Sequence, residues 1–157
     1  MSDAYQDGVR LLSRRSLTRR EIVLRLKERG HGDEAVEAAV SRLSAASAID
    51  DRALARHWIG SQAAARGRGR DRAVAELVAR GVDEAVASSA WAEAVDDGAI
   101  DEDATLARAV RRRLGPPPGR NDKGRLARVY NALLYEGFGH EQVEAALVPY
   151  GFERTDP

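Results

Sequence analysis

The chain has 157 residues, no cysteine, only eight aromatic side chains and 25 acidic against 25 basic groups. Without cysteine there is no disulfide, no thiolate chemistry and no cysteine-ligated zinc, so the fold has to stand on the packing of Leu, Val, Ile and Ala. No apolar run approaches the roughly 20 residues of a membrane span and the N-terminus is too polar for a secretory signal, which points to the cytoplasm and to no membrane partner.

The apolar periodicity is helical from end to end, without the strict alternation of a strand, and predicts an all-α fold. The first helix runs from Asp3 to Leu12. The second starts at a capping box, Thr18 with Glu21, where Leu17 and Ile22 can form a hydrophobic staple, and it stops at Arg29-Gly30, a cation in the last turn before a C-cap glycine. The third carries Val36, Ala39, Val40 and Leu43 at the i, i+3, i+4, i+7 spacing of one buried face. Asp50 is a natural N-cap for a fourth helix reaching Ala65, with Leu54, Trp58 and Ile59 inward. A fifth ends at Arg80-Gly81, and a sixth repeats the buried stripe as Ala87, Ala90, Trp91 and Ala94. Asp101 caps a seventh that reaches Leu114 through Leu106 and Val110. The run Gly115-Pro116-Pro117-Pro118-Gly119 then breaks the chain as a stiff connector, which would let the last two helices sit somewhat independently. Gly137 separates those two, and the last has the stripe Val143, Ala146, Leu147, Tyr150.

These elements repeat. Val23, Leu26, Arg29-Gly30, Ala39 and Ala48-Ile49-Asp50 recur 51 residues later as Val74, Leu77, Arg80-Gly81, Ala90 and Ala99-Ile100-Asp101. A further offset of 56 carries Leu77, Gly81, Ala90 and Trp91 onto Leu133, Gly137, Ala146 and Leu147, and the proline insertion at 115–119 accounts for the longer step. The expected organisation is three tandem three-helix repeats, 3–48, 49–98 and 99–153. A unit that cannot bury its apolar face alone buries it on its neighbours, which gives an elongated array with a long outer surface.

No catalytic constellation emerges. Asp50 and Asp51 are adjacent and read as helix caps, and the cluster Asp96, Asp97, Asp101, Glu102, Asp103 lacks the ligand spacing and inner glycine of a calcium loop. His31, His57 and His140 are scattered and read as turn or surface residues. Gly67-Arg68-Gly69 lacks the Lys-Ser or Lys-Thr and the preceding strand of a phosphate loop. The expectation is a protein with no enzyme activity, no metal and no cofactor.

Charge is the better signal. Residues 1–80 hold 16 basic and 11 acidic groups, residues 81–110 hold eight carboxylates against Arg108 alone, and the tail returns to about +2. Basic residues gather where the first helix of each repeat meets the second: Arg10, Arg14, Arg15, Arg19 and Arg20; then Arg66, Arg68, Arg70 and Arg72; then Arg111, Arg112, Arg113 and Arg120. Arginine forks and helix N-termini both attract phosphates and carboxylates, so these junctions are candidate binding edges. Arginine outnumbers lysine 23 to two, and a compositional bias that merely solubilises loops is the plain alternative; the absence of any basic residue from 81 to 107 argues against it.

The segments Leu11-Leu12-Ser13-Arg14-Arg15-Ser16-Leu17-Thr18-Arg19-Arg20-Glu21, Ile49-Asp50-Asp51-Arg52-Ala53-Leu54-Ala55, Arg66 and Gly69 leading to Glu76-Leu77 and Arg80-Gly81-Val82, and Leu134-Tyr135-Glu136-Gly137-Phe138 together resemble the RecX regulatory proteins, modulators of the RecA recombinase. The likeness runs over nearly the whole chain. It departs at Leu54, where the family usually has Phe, at Ala73, where Ile is frequent, and at Glu136, where Arg is frequent, which removes one basic contact. The resemblance implies three tandem three-helix units in a curved array and a monomer that binds the RecA filament on single-stranded DNA. It also implies restraint of the ATPase and strand-exchange activities of RecA in recombination, DNA repair and the SOS response. On that reading Arg14, Arg15, Arg19, Arg20, Arg66, Arg68, Arg70, Arg72, Arg111, Arg112 and Arg113 supply the face for RecA and for single-stranded DNA. Two other readings remain: a helix-turn-helix DNA-binding protein and a generic helical-repeat scaffold. The first is disfavoured because the third helices carry Glu34, Glu37, Glu84, Glu93, Glu141 and Glu144, which a major groove would repel.

Overall fold

The structure, a computed structural model describing residues 3–119 and 121–154, is built from helices and turns, with no strand among those residues. In chain order the helices are α1 (Ala4–Leu12), α2 (Arg19–Glu28), α3 (Asp33–Ala45), α4 (Asp51–Trp58), α5 (Arg70–Ala79), α6 (Glu84–Asp96), α7 (Glu102–Leu114), α8 (Lys123–Tyr135) and α9 (His140–Leu147). A π turn, Ile59–Ala63, and a last α turn, Ala64–Arg66, continue α4, and a 3-10 turn, Val148–Tyr150, closes α9. The chain divides into two compact units: Met1–His57 with Glu76–Ala90, and Trp58–Ala75 with Trp91–Pro157.

In the first unit the apolar stripes of α1, α2 and α3 close over one core of Ala4, Leu11, Leu17, Ile22, Leu26, Val36, Ala39, Val40, Leu43 and Ile49. Ile22, Leu26 and Leu43 have no solvent exposure, and each such side chain contributes about 1.5–3 kcal/mol of transfer free energy. Helices α1 and α3 meet closely at Gly8, where a Cβ would lie 2.6 Å from Leu43 Cδ1. A buried carboxylate ties the start of α1 to the end of α2. Asp7 accepts from His31 Nε2 at 2.9 Å and pairs with Arg10 at 3.3 Å and Arg29 at 3.4 Å. His31 is in the turn after α2 as expected, its N–H donating to the Leu26 carbonyl at 3.2 Å, and its side chain is in addition a half-buried anchor.

In the second unit α7, α8 and α9 share a core of Leu106, Ala109, Val110, Leu126, Val129, Leu133, Phe138, Val143, Leu147 and Tyr150. The proline connector does not loosen the last two helices, contrary to the expectation above. Tyr150 Oη donates to the Gly115 carbonyl at 2.7 Å, the Gly119 N–H donates to the Pro149 carbonyl at 3.4 Å, and α8 and α9 bury their stripes against α7. Phe152 stacks on Tyr130 with 5.3 Å between ring centroids. Trp91, large in a stripe that is otherwise alanine, is buried, and its Nε1–H donates to Glu102 at 2.7 Å.

Candidate functional site

Two features of the structure bring charged groups together: helix ends that dock on other helix ends, and a basic groove on α7.

The first docking contact lies within the first unit. Thr18 is the N-cap of α2, in extended conformation, and its hydroxyl accepts from Glu21 N at 3.1 Å while Glu21 Oε2 accepts from Thr18 N at 2.9 Å. The same hydroxyl donates to the Arg80 carbonyl at 2.7 Å, so one buried oxygen serves the start of α2 and the end of α5. Arg80 returns the contact with a fork, Nε and Nη2 each 3.0 Å from a Glu21 oxygen. Gly81, at φ +99°, lies under the stem of Arg20; a Cβ there would come 2.5 Å from Arg20 Cβ. Asp50 caps α4 through Ala53 N at 2.9 Å, and Asp51 turns outward to cap α2 by accepting from Arg19 N at 2.9 Å.

Burial by itself would raise the Glu21 carboxyl. The Arg80 hydrogen bond, the Thr18 N–H and the charges of Arg80 and Arg15 outweigh it and hold the group below its ordinary value. A carboxylate depressed in the folded state adds stability above its unfolded pKa, about 4.3, and that stability is lost as pH falls through the lower folded value. Glu21→Gln should therefore cost about 1–2 kcal/mol at pH 7, a figure kept small because one edge of the carboxylate meets water. The gap between variant and native protein should close as urea unfolding is followed below about pH 4. Thr18→Val, which keeps the volume but removes the oxygen, leaves Glu21 N and the Arg80 carbonyl unsatisfied. It should lower stability by about 2–3 kcal/mol in the same measurement at neutral pH.

The second docking contact lies within the second unit and repeats the first. Gly69 stands 51 residues after Thr18, and its N–H donates to the Glu136 carbonyl at 2.8 Å at the end of α8; Asp71 N donates to the Gly137 carbonyl at 3.1 Å. Gly137, at φ +95°, is covered by Arg72, whose Cβ would lie 2.7 Å from a Cβ at the glycine. The Arg72 guanidinium sits 4.5 Å over the Tyr135 ring and reaches the Tyr135 carbonyl at 3.3 Å. Glu136 is held by Arg113, which also donates to the Ala109 carbonyl at 3.0 Å. At corresponding places Glu21 and Arg80 of the first contact are replaced by Arg72 and Glu136, with the signs exchanged.

The groove lies in the second unit between the last turn of the α4 segment and α7. It encloses about 330 Å³ and is lined by Ala64, Ala65, Gly67, Thr105, Arg108, Arg111 and Arg112. The three arginines share one face because they stand at i, i+3 and i+4. Arg108 Nη2 is fixed by the Thr105 hydroxyl at 3.1 Å, which itself donates to the Asp101 carbonyl at 2.7 Å. Arg112 approaches Gly67, with Nη2 3.6 Å from where a Cβ would be. A Gly67 side chain would narrow the groove.

The expected site residues fall into distinct settings. Arg14, Arg15, Arg19 and Arg20 are exposed in the first unit at the connector and first turn of α2, with Arg19 Nη1 3.4 Å from Ser44 Oγ. Arg66, Arg68, Arg70 and Arg72 each hold intramolecular partners, Arg70 pairing with Asp71 at 3.0 Å. Arg111 and Arg112 are exposed on the groove, whereas Arg113 on the opposite side of the helix is occupied with Glu136. Arg120 lies outside the described residues. Arg108 is not among the site residues expected from sequence, where it stands as the lone cation of the acidic stretch, although its spacing to Arg111 and Arg112 was the available signal.

Family models match in two places: a RecX first three-helix domain over residues 4–43 and a RecX second three-helix domain over residues 50–90. The regulatory protein RecX of Chromohalobacter salexigens is 33% identical over 149 residues, spanning 95% of this chain and 93% of that one. The chain belongs to the RecX family. The RecX protein of Thermobifida fusca is 35% identical over 131 residues, 83% of this chain and 69% of its own. Among solved structures, RecX from Lactobacillus salivarius superposes with a TM-score of 0.73 at 18% identity, over 92% of both chains. A second RecX regulatory protein reaches 0.78 at 21% identity, over 91% of this chain and 69% of the other. These likenesses bear out the resemblance and the all-helical RecX fold. The RecX relatives are named regulatory proteins, and no described helix here is long and apolar enough to cross a membrane.

Proposed function

We propose that this RecX-family chain is a negative regulator of RecA, a cytoplasmic non-enzyme that binds the RecA filament on single-stranded DNA and inhibits ATP hydrolysis and strand exchange in recombination and DNA repair. The observation that carries the reading is the groove of Arg108, Arg111 and Arg112, three cations converging on a cleft of about 330 Å³ with no carboxylate in its lining. Such a cleft attracts a phosphodiester backbone or a carboxylate-bearing loop, both of which a nucleoprotein filament presents. Arg14, Arg15, Arg19 and Arg20, exposed beside the start of α2, form a second basic surface, and Arg66, Arg68, Arg70 and Arg72 flank and follow, in sequence, Gly67 of the groove lining. Arg113 belongs to the interior of this picture, because its charge is already matched by Glu136.

The test is the single-stranded-DNA-dependent ATPase rate of RecA from the same host, titrated with this protein at two salt concentrations. Dose-dependent inhibition that weakens as salt rises is the expected result, because contacts to phosphates release counterions. A flat titration at both concentrations would sink the reading and leave the fold untouched.

A further inference from the structure

The two helix-end contacts share a design, and a third copy of the accepting end has no such partner docked on its glycine among the described residues. In each filled case a helix finishes on a residue followed by a left-handed glycine, Arg80-Gly81 or Glu136-Gly137. The turn is closed by paired backbone bonds: Gly81 N to Val78 O at 2.9 Å with Val82 N to Leu77 O at 3.1 Å, and Gly137 N to Leu134 O at 2.9 Å with Phe138 N to Leu133 O at 3.2 Å. The carbonyl before the glycine accepts from the first residue of another helix's cap, and a long side chain in that helix's first turn covers the glycine. Because the glycine has no side chain, the incoming turn can come within contact of the backbone, which closes the last carbonyls away from water.

At the end of α2 the same turn is already formed. Gly30 has φ +87°, Gly30 N donates to Lys27 O at 2.9 Å and His31 N to Leu26 O at 3.2 Å. Yet a Cβ built on Gly30 meets nothing within 4 Å, where Gly81 and Gly137 meet Arg20 and Arg72. Arg29 occupies the place of Arg80; one of its nitrogens touches Asp7 at 3.4 Å and its side chain remains 38% exposed. Asp7 and His31 brace the end, and Arg29, which touches Asp7 through one nitrogen, is placed to receive a second acid as Arg80 receives Glu21.

We propose that the Arg29-Gly30 end of α2 is a docking surface for the N-terminus of a helix from a partner protein. The incoming first turn would read Ser or Thr at the N-cap, a long side chain two residues on to cover Gly30, and Glu at the third position to fork with Arg29. This chain's own Thr18, Arg20 and Glu21 are the template, and charge complementarity at Arg29 selects Glu there. The surface goes beyond the RecA reading, and its test contains no RecA, so either can fail alone.

The probe is a synthetic peptide with the sequence of Ser16–Glu28, held helical by a side-chain staple and titrated into the full isotopically labelled chain. Saturable shifts of the Gly30 and His31 amides are expected, with binding about tenfold weaker for the peptide carrying Glu21→Gln, since a charge-assisted fork is lost. Gly30→Asn in the full chain should abolish the shifts while preserving the fold, because Asn tolerates the left-handed conformation and the added atoms enter open space. Absence of saturable shifts, or shifts that persist in Gly30→Asn, would overturn the proposal. Self-association of the chain that Gly30→Asn removes, with no competition from the peptide, would assign the end to a second copy and overturn it too.

Discussion

Gly69→Ala lowers stability by about 2–4 kcal/mol. A Cβ at Gly69 would stand 2.5 Å from both the Gly137 carbonyl oxygen and Phe138 N, which are backbone atoms that cannot rotate away. Relief requires the end of α8 to separate from the start of α5, and that stretches the bond from Gly69 N to the Glu136 carbonyl. Overpacking and a weakened buried hydrogen bond therefore add. Urea unfolding followed by circular dichroism measures the shift. Gly60→Ala is the control, since Gly60 lies in the π turn at an ordinary φ with nothing within 4 Å of an added Cβ. There the alanine should be neutral or stabilising by up to about 1 kcal/mol, through helix propensity and a less free unfolded chain. A loss at Gly60 equal to that at Gly69 would mean that close approach is not the cause.

If the chain inhibits RecA as proposed, the triple variant Arg108→Ala, Arg111→Ala, Arg112→Ala should lose most of the salt-sensitive part of that inhibition with helicity unchanged. Each phosphate contact to a single strand contributes about 0.7 to the slope of log affinity against log salt, so three lost contacts should flatten that slope by about 2. Arg111 and Arg112 are exposed, and Arg108 bonds only the Thr105 hydroxyl among the described residues, so their removal should cost less than about 1 kcal/mol of stability. Arg113→Ala provides the contrast. It strips Glu136 of its cation while Glu136 Oε2 is already buried without a hydrogen-bond partner among the described residues, so it should destabilise the chain and leave the salt slope alone. An unchanged slope in the triple variant would move the contact to the basic surface around Arg14 and Arg15.

What was legible in sequence was what is encoded within a few residues. The capping box of Thr18 and Glu21, the buried stripe of Val36, Ala39, Val40 and Leu43, and the glycine endings of α2, α5 and α8 depend on neighbours at i+3 and i+4, and each is present as expected. The 51- and 56-residue offsets exposed the repetition of those local units. The RecX resemblance rested on the order of the same signals, and the family matches bear it out.

The tertiary structure decided what distant residues do to one another. Glu21 and Arg80 are 59 residues apart, and no periodicity pairs them; only the docking of two helix ends turns a cap into a fork and shifts a carboxyl. Gly69 read as part of an unconvincing phosphate loop, but its role is steric, a missing side chain that admits the backbone of Gly137. Arg111 and Arg113 are alike in sequence and differ in setting because one faces a cleft and the other an acid brought from α8. Helices and their ends are determined by bonds and packing along the chain, whereas the meaning of each charge depends on which end or face is folded against it.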